Sequence, residues 1–193
     1  PFNGNSNDES GYLNNGIING ASLTTDRFGN ASSAYNYDGN DWIQIPHDAS
    51  INFTNTDSYS VSVWFYGDDY TTQGQSILEK WNNGATAPYP YVIRLGHQGP
   101  GNSYELASQA FDGSAPQNLV LVYNVDALAW HHVVVVYDDF VNRMYFDGVL
   151  MDTDNTILDA FACSDDLFIG RRGNTTNRFF HGDIDDIGIW NRA

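Results

Sequence analysis

The sequence predicts an all-β protein, a sandwich of two antiparallel sheets. Asp and Asn each occur 21 times, whereas there are only three Glu and one Lys. Asp and Asn favour turns, and Glu and Lys favour helices, so this balance argues against a helical protein. Aromatic residues make up 15% of the chain and Gly occurs 18 times, which is typical of strands joined by many turns. Apolar alternation also recurs about every 10 to 15 residues.

The alternating segments predict thirteen strands and no helix longer than about one turn. They are Gly16–Ala21, Ala34–Tyr37, Trp42–Ile45, Ser60–Tyr66, Ser76–Trp81, Tyr91–Leu95, Tyr104–Gln109, Leu119–Tyr123, His131–Asp138, Arg143–Phe146, Val149–Met151, Leu167–Ile169 and Gly182–Trp190.

Local patterns refine several of these strands. Within 60–66, Trp64 shares one face with Ser62 and Tyr66. The apolar run 133–136 predicts a central strand buried on both faces. Asp147-Gly148 supplies the chemistry of a two-residue hairpin turn. Adjacent His131 and His132 point to opposite faces, so they cannot chelate one metal together.

Length and charge limit the possible functions. The chain has 193 residues, which suits one domain over 1–193. Its net charge of −16 argues against nucleic acid or an anionic membrane as a partner. No apolar run approaches the length of a membrane span. High acidity with one lysine favours a surface adapted to a salty external medium; an ordinary acidic soluble domain is the alternative.

The sequence contains no complete pattern of catalytic residues. The best candidate is the pair Asp183 and Asp185, on one face of a strand. A retaining glycosidase needs paired carboxylates, but the third position of such a pattern falls on Ile187 or Gly188. The single Cys163 cannot form an intrachain disulfide, and a lone cysteine here is more typical of core filling. Motifs for serine hydrolases, P-loops and zincins are absent from the sequence. We therefore predict no enzymatic activity.

Six ordered blocks carry a family resemblance over nearly the whole chain. They lie at 1–22, 26–46, 59–67, 75–81, 130–150 and 167–193, the last reading LFIGRRGNTTNRFFHGDIDDIGIWNRA. In this order they resemble a bacterial laminin G-like domain of the concanavalin A-like jelly-roll superfamily. The resemblance implies one convex and one concave antiparallel sheet. It also implies a structural calcium and a place as an accessory module in a longer, secreted, multimodular protein. Segment 82–118 departs most from the pattern.

Calcium needs several oxygen ligands. The first and last strands of a jelly roll are neighbours, so we expect Asp8 to meet Asp185 and Asp186 there, with Asp41 as the next candidate. The alternative is that these acids only cap turns on a solvated surface.

Sugars bind to aromatic platforms flanked by hydrogen-bonding groups. Proline-braced Tyr89 beside Trp81 predicts such a platform, with Tyr91 and Arg94 on the following strand; a loop plug over the sandwich end is the alternative. Trp42 shares a face with Gln44 and is expected to be half exposed. The other tryptophans are interpreted as structural: Trp64, Trp130 and Trp190.

A second candidate cluster is Arg171, Arg172, Asn174 and Arg178. Three arginines within eight residues suit recognition of hydroxyl, carboxylate or sulfate groups. The alternative is that they neutralise the acids at 165–166 and 183–186.

These observations favour a noncatalytic carbohydrate-binding module of a secreted or cell-surface bacterial protein. It would act as a monomer, bind a polysaccharide or oligosaccharide, and target a polysaccharide-active enzyme to its glycan. The alternative is a calcium-stabilised adhesion or protein-interaction module. The fold alone does not decide between them.

Overall fold

The computed structural model describes residues 2–68, 74–81, 87–98, 104–114, 118–159, 161–173 and 177–193. Its elements are β1 (Ile17–Asn19), β2 (Ser22–Thr24), β3 (Ala34–Asp38), β4 (Trp42–Ile45), a 3₁₀ turn (Ala49–Ile51), β5 (Tyr59–Gly67), β6 (Gln75–Glu79), β7 (Tyr89–Gln98), β8 (Tyr104–Phe111), β9 (Asn118–Tyr123), β10 (Trp130–Asp138), β11 (Val141–Phe146), β12 (Val149–Asp154), β13 (Leu167–Ile169) and β14 (His181–Trp190).

The strands form two seven-stranded antiparallel sheets. Sheet A has the order β1-β4-β13-β6-β7-β8-β9, and sheet B has the order β12-β11-β10-β5-β14-β3-β2. A single large core of apolar side chains lies between them, including Tyr35, Phe65, Ile93, Val133 and Phe180. The predicted all-β sandwich of two sheets is confirmed. In the described part of the chain, no helix is long and apolar enough to cross a membrane.

All thirteen predicted strands are present, some longer than expected, and the short edge strand β2 is an addition. The prediction for 133–136 is wrong in one respect. Val133 and Val135 are buried in the core, but Val134 and Val136 lie half-buried on the outer face. The outer valines lie between the neighbouring strands β5 and β11, on a face that the described residues leave partly open.

The hairpin between β11 and β12 forms as predicted. Asp147 and Gly148 both have positive φ, 48° and 81°, which is the conformation of a type I′ turn. The Asp147 side chain also braces the neighbouring strand: its Oδ1 accepts from the His132 backbone N–H at 2.8 Å, and its Oδ2 lies 2.9 Å from Nδ1 of His131. His131 and His132 indeed point to opposite faces.

Strand register places polar and aromatic residues in rows across each outer face. On sheet A, Phe168 pairs with Glu79, Glu79 pairs with Val92, and Val92 pairs with Gln109. On sheet B the pairing puts four residues side by side across four strands. These are Trp130, Tyr66, Asp183 and Asn36. Directly paired residues place their side chains on the same side of a sheet, so each outer face carries its own continuous surface.

Candidate functional site

Six of the predicted ligand residues meet on the outer face of sheet A. We call this surface the arginine face, and it is built around four arginines, three of which place their guanidinium groups over aromatic rings. Its members are Arg94, Arg171, Arg172, Arg178, Trp81, Tyr89, Trp42 and Phe168. The seven arginines of the chain are thus unevenly placed, since four of them belong to this one surface.

The aromatic floor of the arginine face is a small cluster separate from the main core. Trp81 and Tyr89 lie 5.6 Å apart between ring centroids and pack with Val92, Ala87 and Phe111. The two rings are only 6% and 5% exposed, and burial raises the pKa of Tyr89 to about 12. The sequence predicted an exposed platform here. The rings instead form a floor beneath charged groups.

Guanidinium groups cover these rings. The Arg172 Cζ lies 4.4 Å from the Trp81 ring centroid, and the Arg94 Cζ lies 5.1 Å from it. Arg171 lies 4.3 Å from the ring centroid of Trp42, which is half exposed as predicted. Such contacts stabilise a cation over the negative face of the ring. They also fix the guanidinium planes, so the arginines are held in place before any ligand arrives.

One arginine of this face is neutralised by a buried acid. Arg94 Nε and Nη2 donate to the two Glu79 carboxylate oxygens at 2.6 and 3.2 Å, and its Nη1 donates to Gln109 at 3.0 Å. Glu79 is completely buried. Burial alone would lower the pKa of Arg94, but the Glu79 carboxylate outweighs it and raises that pKa. This pair anchors the face from below.

The other arginines concentrate positive charge on this surface. Glu79 and Glu105 also lie on this side of the sheet, and Asp166 binds Gln44, which is paired with Phe168. Burial lowers the pKa of Arg172, and the positive charges of Arg94 and Arg178 lower it further. Crowding of like charges in a partly buried site favours an anion that would bind among them.

The alternative interpretation of the Arg171–Arg178 cluster was neutralisation of nearby acids. Asp185 and Asp186 instead form ion pairs with Arg27, at 2.7 and 2.6 Å. Asp166 accepts from the Gln44 side chain and the His47 backbone N–H, and Asp183 accepts from Asn36. Those acids therefore have other partners. The predicted Asn174 lies outside the described residues.

Tyr91 does not belong to the arginine face. Its side chain is 1% exposed in the main core, where its hydroxyl donates to the Ile51 carbonyl at 2.9 Å. A register irregularity between Tyr89 and Val92 is the cause. This β-bulge, at Pro90, adds one residue to the strand and sends Tyr89 and Tyr91 to opposite faces.

The acids predicted to hold calcium do not form the expected bridging site. Both Asp8 oxygens accept hydrogen bonds within their own loop, from Ser10 and Asn14. Partial burial opposes these bonds, but together they lower the pKa of Asp8. Asp185 and Asp186 are held by Arg27. The donor set therefore does not fit the predicted ion, and calcium binding stays a prediction.

Asp41 braces a turn. Its Oδ2 accepts from the Asp38 backbone N–H at 3.0 Å, and burial raises its pKa, with the charge of Asp38 adding to the rise. A Cβ on Gly20 would lie 1.9 Å from its Oδ1. Among the residues that the structure describes, no group of three or more His, Cys, Asp or Glu side chains could hold a metal ion.

A cavity of about 430 Å³ opens elsewhere, at the sandwich edge. Aliphatic side chains such as Ile45, Leu167 and Ile187 line it, with Asp8 and Glu9 also in its wall. The lining also includes Tyr12, Trp190 and several Ser and Asn residues, so the cavity combines apolar surface with hydrogen-bonding groups.

Sequence reasoning missed a second surface, on the outer face of sheet B. Trp64 and Trp130, interpreted above as structural, are only half-buried there. We call this surface the carboxylate face. Its members are Trp130, Tyr66, Asp183, Asn36, Trp64, His132, Arg27, Asp185 and Asp186. The alternation in β5 was the available signal, since it already placed Trp64 and Tyr66 opposite Val63 and Phe65.

Comparison with family models places the chain in a known superfamily. The Laminin_G_3 model, described as concanavalin A-like lectin/glucanases superfamily, matches residues 37–193. The chain belongs to this concanavalin A-like superfamily. The resemblance drawn from the sequence is thereby confirmed, and the jelly-roll sandwich agrees with it.

Solved structures share this concanavalin A-like fold. One is domain 4 of AbnA, a GH43 extracellular arabinanase from Geobacillus stearothermophilus, in complex with arabinotriose. It is 22% identical, with a TM-score of 0.68 over 99% of this chain and 89% of that chain. Another is the binding domain of Paraclostridial Mosquitocidal Protein 1, at 17% identity and a TM-score of 0.73, over 97% of this chain and 46% of that chain.

The botulinum neurotoxin serotype G binding domain is also similar, at 14% identity and a TM-score of 0.70. That match covers 96% of this chain and 45% of that chain. At these identities the likeness shows the fold alone. The comparison with curated protein sequences gave no match.

A retaining glycosidase needs two carboxyl groups about 5–5.5 Å apart, one as nucleophile and one as general acid. Asp183 and Asp185 do share one face, as predicted, because they pair with Tyr66 and Trp64 respectively. Asp185, however, is bound by Arg27, and on the other sheet Glu79 is bound by Arg94.

Proposed function

We propose that this domain is a noncatalytic carbohydrate-binding module, and that its arginine face binds an acidic glycan bearing carboxylate or sulfate groups. The observation that carries the proposal is the set of guanidinium groups held over Trp81, Trp42 and Phe168. Guanidinium groups bind carboxylate and sulfate oxygens through paired hydrogen bonds. Of the rings beneath them, the half-exposed Trp42 supplies apolar surface for the sugar.

The overall charge of −16 does not exclude an acidic ligand. At physiological salt the Debye length is about 8 Å, so distant carboxylates are screened and the nearest charges dominate. Near Arg172 the nearest charges include Arg94 and Arg178. The long-range repulsion slows the approach of a polyanion, whereas the local field stabilises it once bound.

A secreted module is consistent with the setting of one similar structure, which comes from an extracellular arabinanase. The toxin binding domains among the similar folds support a second candidate function, an adhesion module that binds a protein receptor. The two functions differ in what they require of the arginine face. A glycan module depends on its guanidinium groups, whereas a protein-binding module could use another surface.

The proposal is tested by binding to acidic polysaccharides. The protein is run in affinity gels containing polygalacturonate, alginate, dextran sulfate or neutral arabinan, at several salt concentrations. We expect at least one acidic polymer to retard it, and retardation to weaken as salt rises. Arg172→Ala should weaken binding about tenfold, since it removes a charge-assisted contact.

Arg143→Ala is the matched control, because Arg143 lies on β11 in sheet B, away from the arginine face. It should bind like the parent protein. If Arg172→Ala also binds like the parent, or if no acidic polymer retards the protein, the arginine face is not the glycan site.

A further inference from the structure

The carboxylate face carries an ordered row of side chains that the proposed function does not use. Trp130 on β10 pairs with Tyr66 on β5, Tyr66 pairs with Asp183 on β14, and Asp183 pairs with Asn36 on β3. Four adjacent strands span about 14 Å at the usual strand spacing. All four side chains are partly exposed. Two aromatic rings therefore stand beside a carboxylate and an amide along one line.

The row differs from the neighbouring Trp64 in what lies against its rings. Trp64 is already covered, because the His132 ring stacks on it at 4.7 Å with an interplanar angle of 12°, and the Arg27 Cζ lies 4.5 Å from its centroid. Trp130 and Tyr66 meet each other at 5.9 Å and 53°. Their tilted, partly exposed rings can present faces to a ligand.

Asp183 determines what kind of ligand fits beside those rings. Asn36 Nδ2 donates to its Oδ1 at 2.7 Å. Burial raises the pKa of Asp183, and the charge of Asp68 raises it further, although the bond from Asn36 opposes both. An ionised carboxylate only accepts hydrogen bonds, so donors on a ligand would stabilise its charged form. Anionic ligands would be repelled by Asp183 and Asp68.

We propose that the row Trp130–Tyr66–Asp183–Asn36 is a second carbohydrate-binding site, specific for a neutral sugar chain. A neutral sugar matches each part of the row. Its C–H face packs on the rings, its hydroxyls donate to Asp183, and the Asn36 amide both donates and accepts. The row lies on the opposite sheet from the arginine face, so it would bind its ligand even if that face bound none.

Gly182 shows that the geometry of this row is tightly determined. It has a φ of 132°, and a Cβ there would lie 2.0 Å from the Tyr66 carbonyl oxygen. The close approach of β14 to β5 brings Asp183 directly beside Tyr66. The row is thus set by the backbone and by strand pairing, which suits a preformed site.

The experiment uses neutral hexasaccharides of arabinose, xylose, glucose and mannose as probes, with binding measured by titration calorimetry. We expect the parent protein to bind at least one of them, with an affinity that changes little with salt. Trp130→Ala should weaken that binding about tenfold. Asp183→Asn keeps the size of the side chain but turns an acceptor into a partial donor, and should weaken binding about fivefold without unfolding the protein.

Arg172→Ala is the control, because it changes only the arginine face. It should leave neutral-sugar binding unchanged, which separates this proposal from the first one. Far-UV circular dichroism confirms that each variant is folded. The proposal is overturned if none of the four hexasaccharides binds, or if binding survives both Trp130→Ala and Asp183→Asn. Loss of binding in Arg172→Ala alone would also overturn it.

Discussion

The arginine face and the carboxylate face share one structural arrangement but are surrounded by residues of opposite charge. In each, a guanidinium lies over an indole ring and also forms an ion pair with a buried acid. On sheet A, Arg94 lies over Trp81 and binds Glu79; on sheet B, Arg27 lies over Trp64 and binds Asp185. The acids are almost inaccessible, with side chains 0% and 2% exposed.

The two faces differ in the charged residues that lie around these pairs. On sheet A these are Arg171, Arg172 and Arg178. On sheet B they are Asp183 and Asp186. A strongly acidic chain can therefore present a basic surface by concentrating its few cations. Net charge alone does not determine which ligand each face selects.

The largest effect is expected from Glu79→Gln, which removes the acid beneath the arginine face. Arg94 would keep its buried charge without a partner, so the free energy of unfolding should fall by about 3–5 kcal/mol. Urea denaturation of parent and variant measures it. The double variant Glu79→Leu/Arg94→Met is the control and should be much less destabilised, because it buries no unpaired charge. A loss below about 1 kcal/mol in Glu79→Gln would show that the pair is not the anchor of this face.

Arg27→Met tests the equivalent pair on the carboxylate face. We expect a loss of about 2–3 kcal/mol at neutral pH, because Asp185 would stay buried without its cation. The loss should be smaller than for Glu79→Gln, since Asp185 can take up a proton; burial, and then the charge of Asp186, already raise its pKa.

The pH dependence of Arg27→Met has a definite sign. A carboxyl whose pKa is raised on folding stabilises the folded protein only when it is protonated, and this contribution disappears as pH rises through the folded pKa. The destabilisation caused by Arg27→Met should therefore shrink as the pH is lowered from 7 towards 4. If it is the same at both ends of that range, Asp185 does not carry the effect.

The sequence was most informative where side chains alternate regularly. Period-2 patterning located β4 and β13 exactly and placed Trp42 on the outer face. The proximity of Trp81 and Arg172 was not predicted, since Trp81 and the cluster at 171–178 lie in segments distant in the chain. Only the pairing of β13 with both β4 and β6 brings them onto one face.

The sequence did not predict how all of the site residues are grouped. A bulge between Tyr89 and Val92 sends Tyr89 and Tyr91 to opposite faces, whereas the alternation within 91–95 already placed Tyr91 with Ile93 and Leu95. Trp64 was interpreted as structural because it lies within an alternating core strand, although the same alternation placed it opposite Val63 and Phe65, and it is half-buried on the outer face. Arg27, more than 150 positions earlier, binds both acids at 185–186, which the sequence did not predict; calcium binding itself stays a prediction.

The smallest effect we predict concerns His132, which stacks on Trp64 and is influenced by the charges of Asp147 and Arg27. Burial lowers its pKa; Asp147 opposes this shift and Arg27 adds to it. A histidine with a lowered pKa stabilises the fold when neutral, and this contribution is lost as pH falls below about 6.5 and through the folded pKa. Because the ring is partly exposed, solvent screening limits the change to at most about 1 kcal/mol.

His132→Gln removes this titration and keeps a partner for the Ser62 hydroxyl, which lies 2.8 Å from Nε2. The free energy of unfolding of the parent, measured from pH 7.5 to pH 5, should fall more steeply than that of the variant. Arg27→Met should reduce the steepness in the parent background, because it removes a cation that disfavours protonation of His132. Parallel curves for parent and His132→Gln would show that folding does not change the pKa of His132.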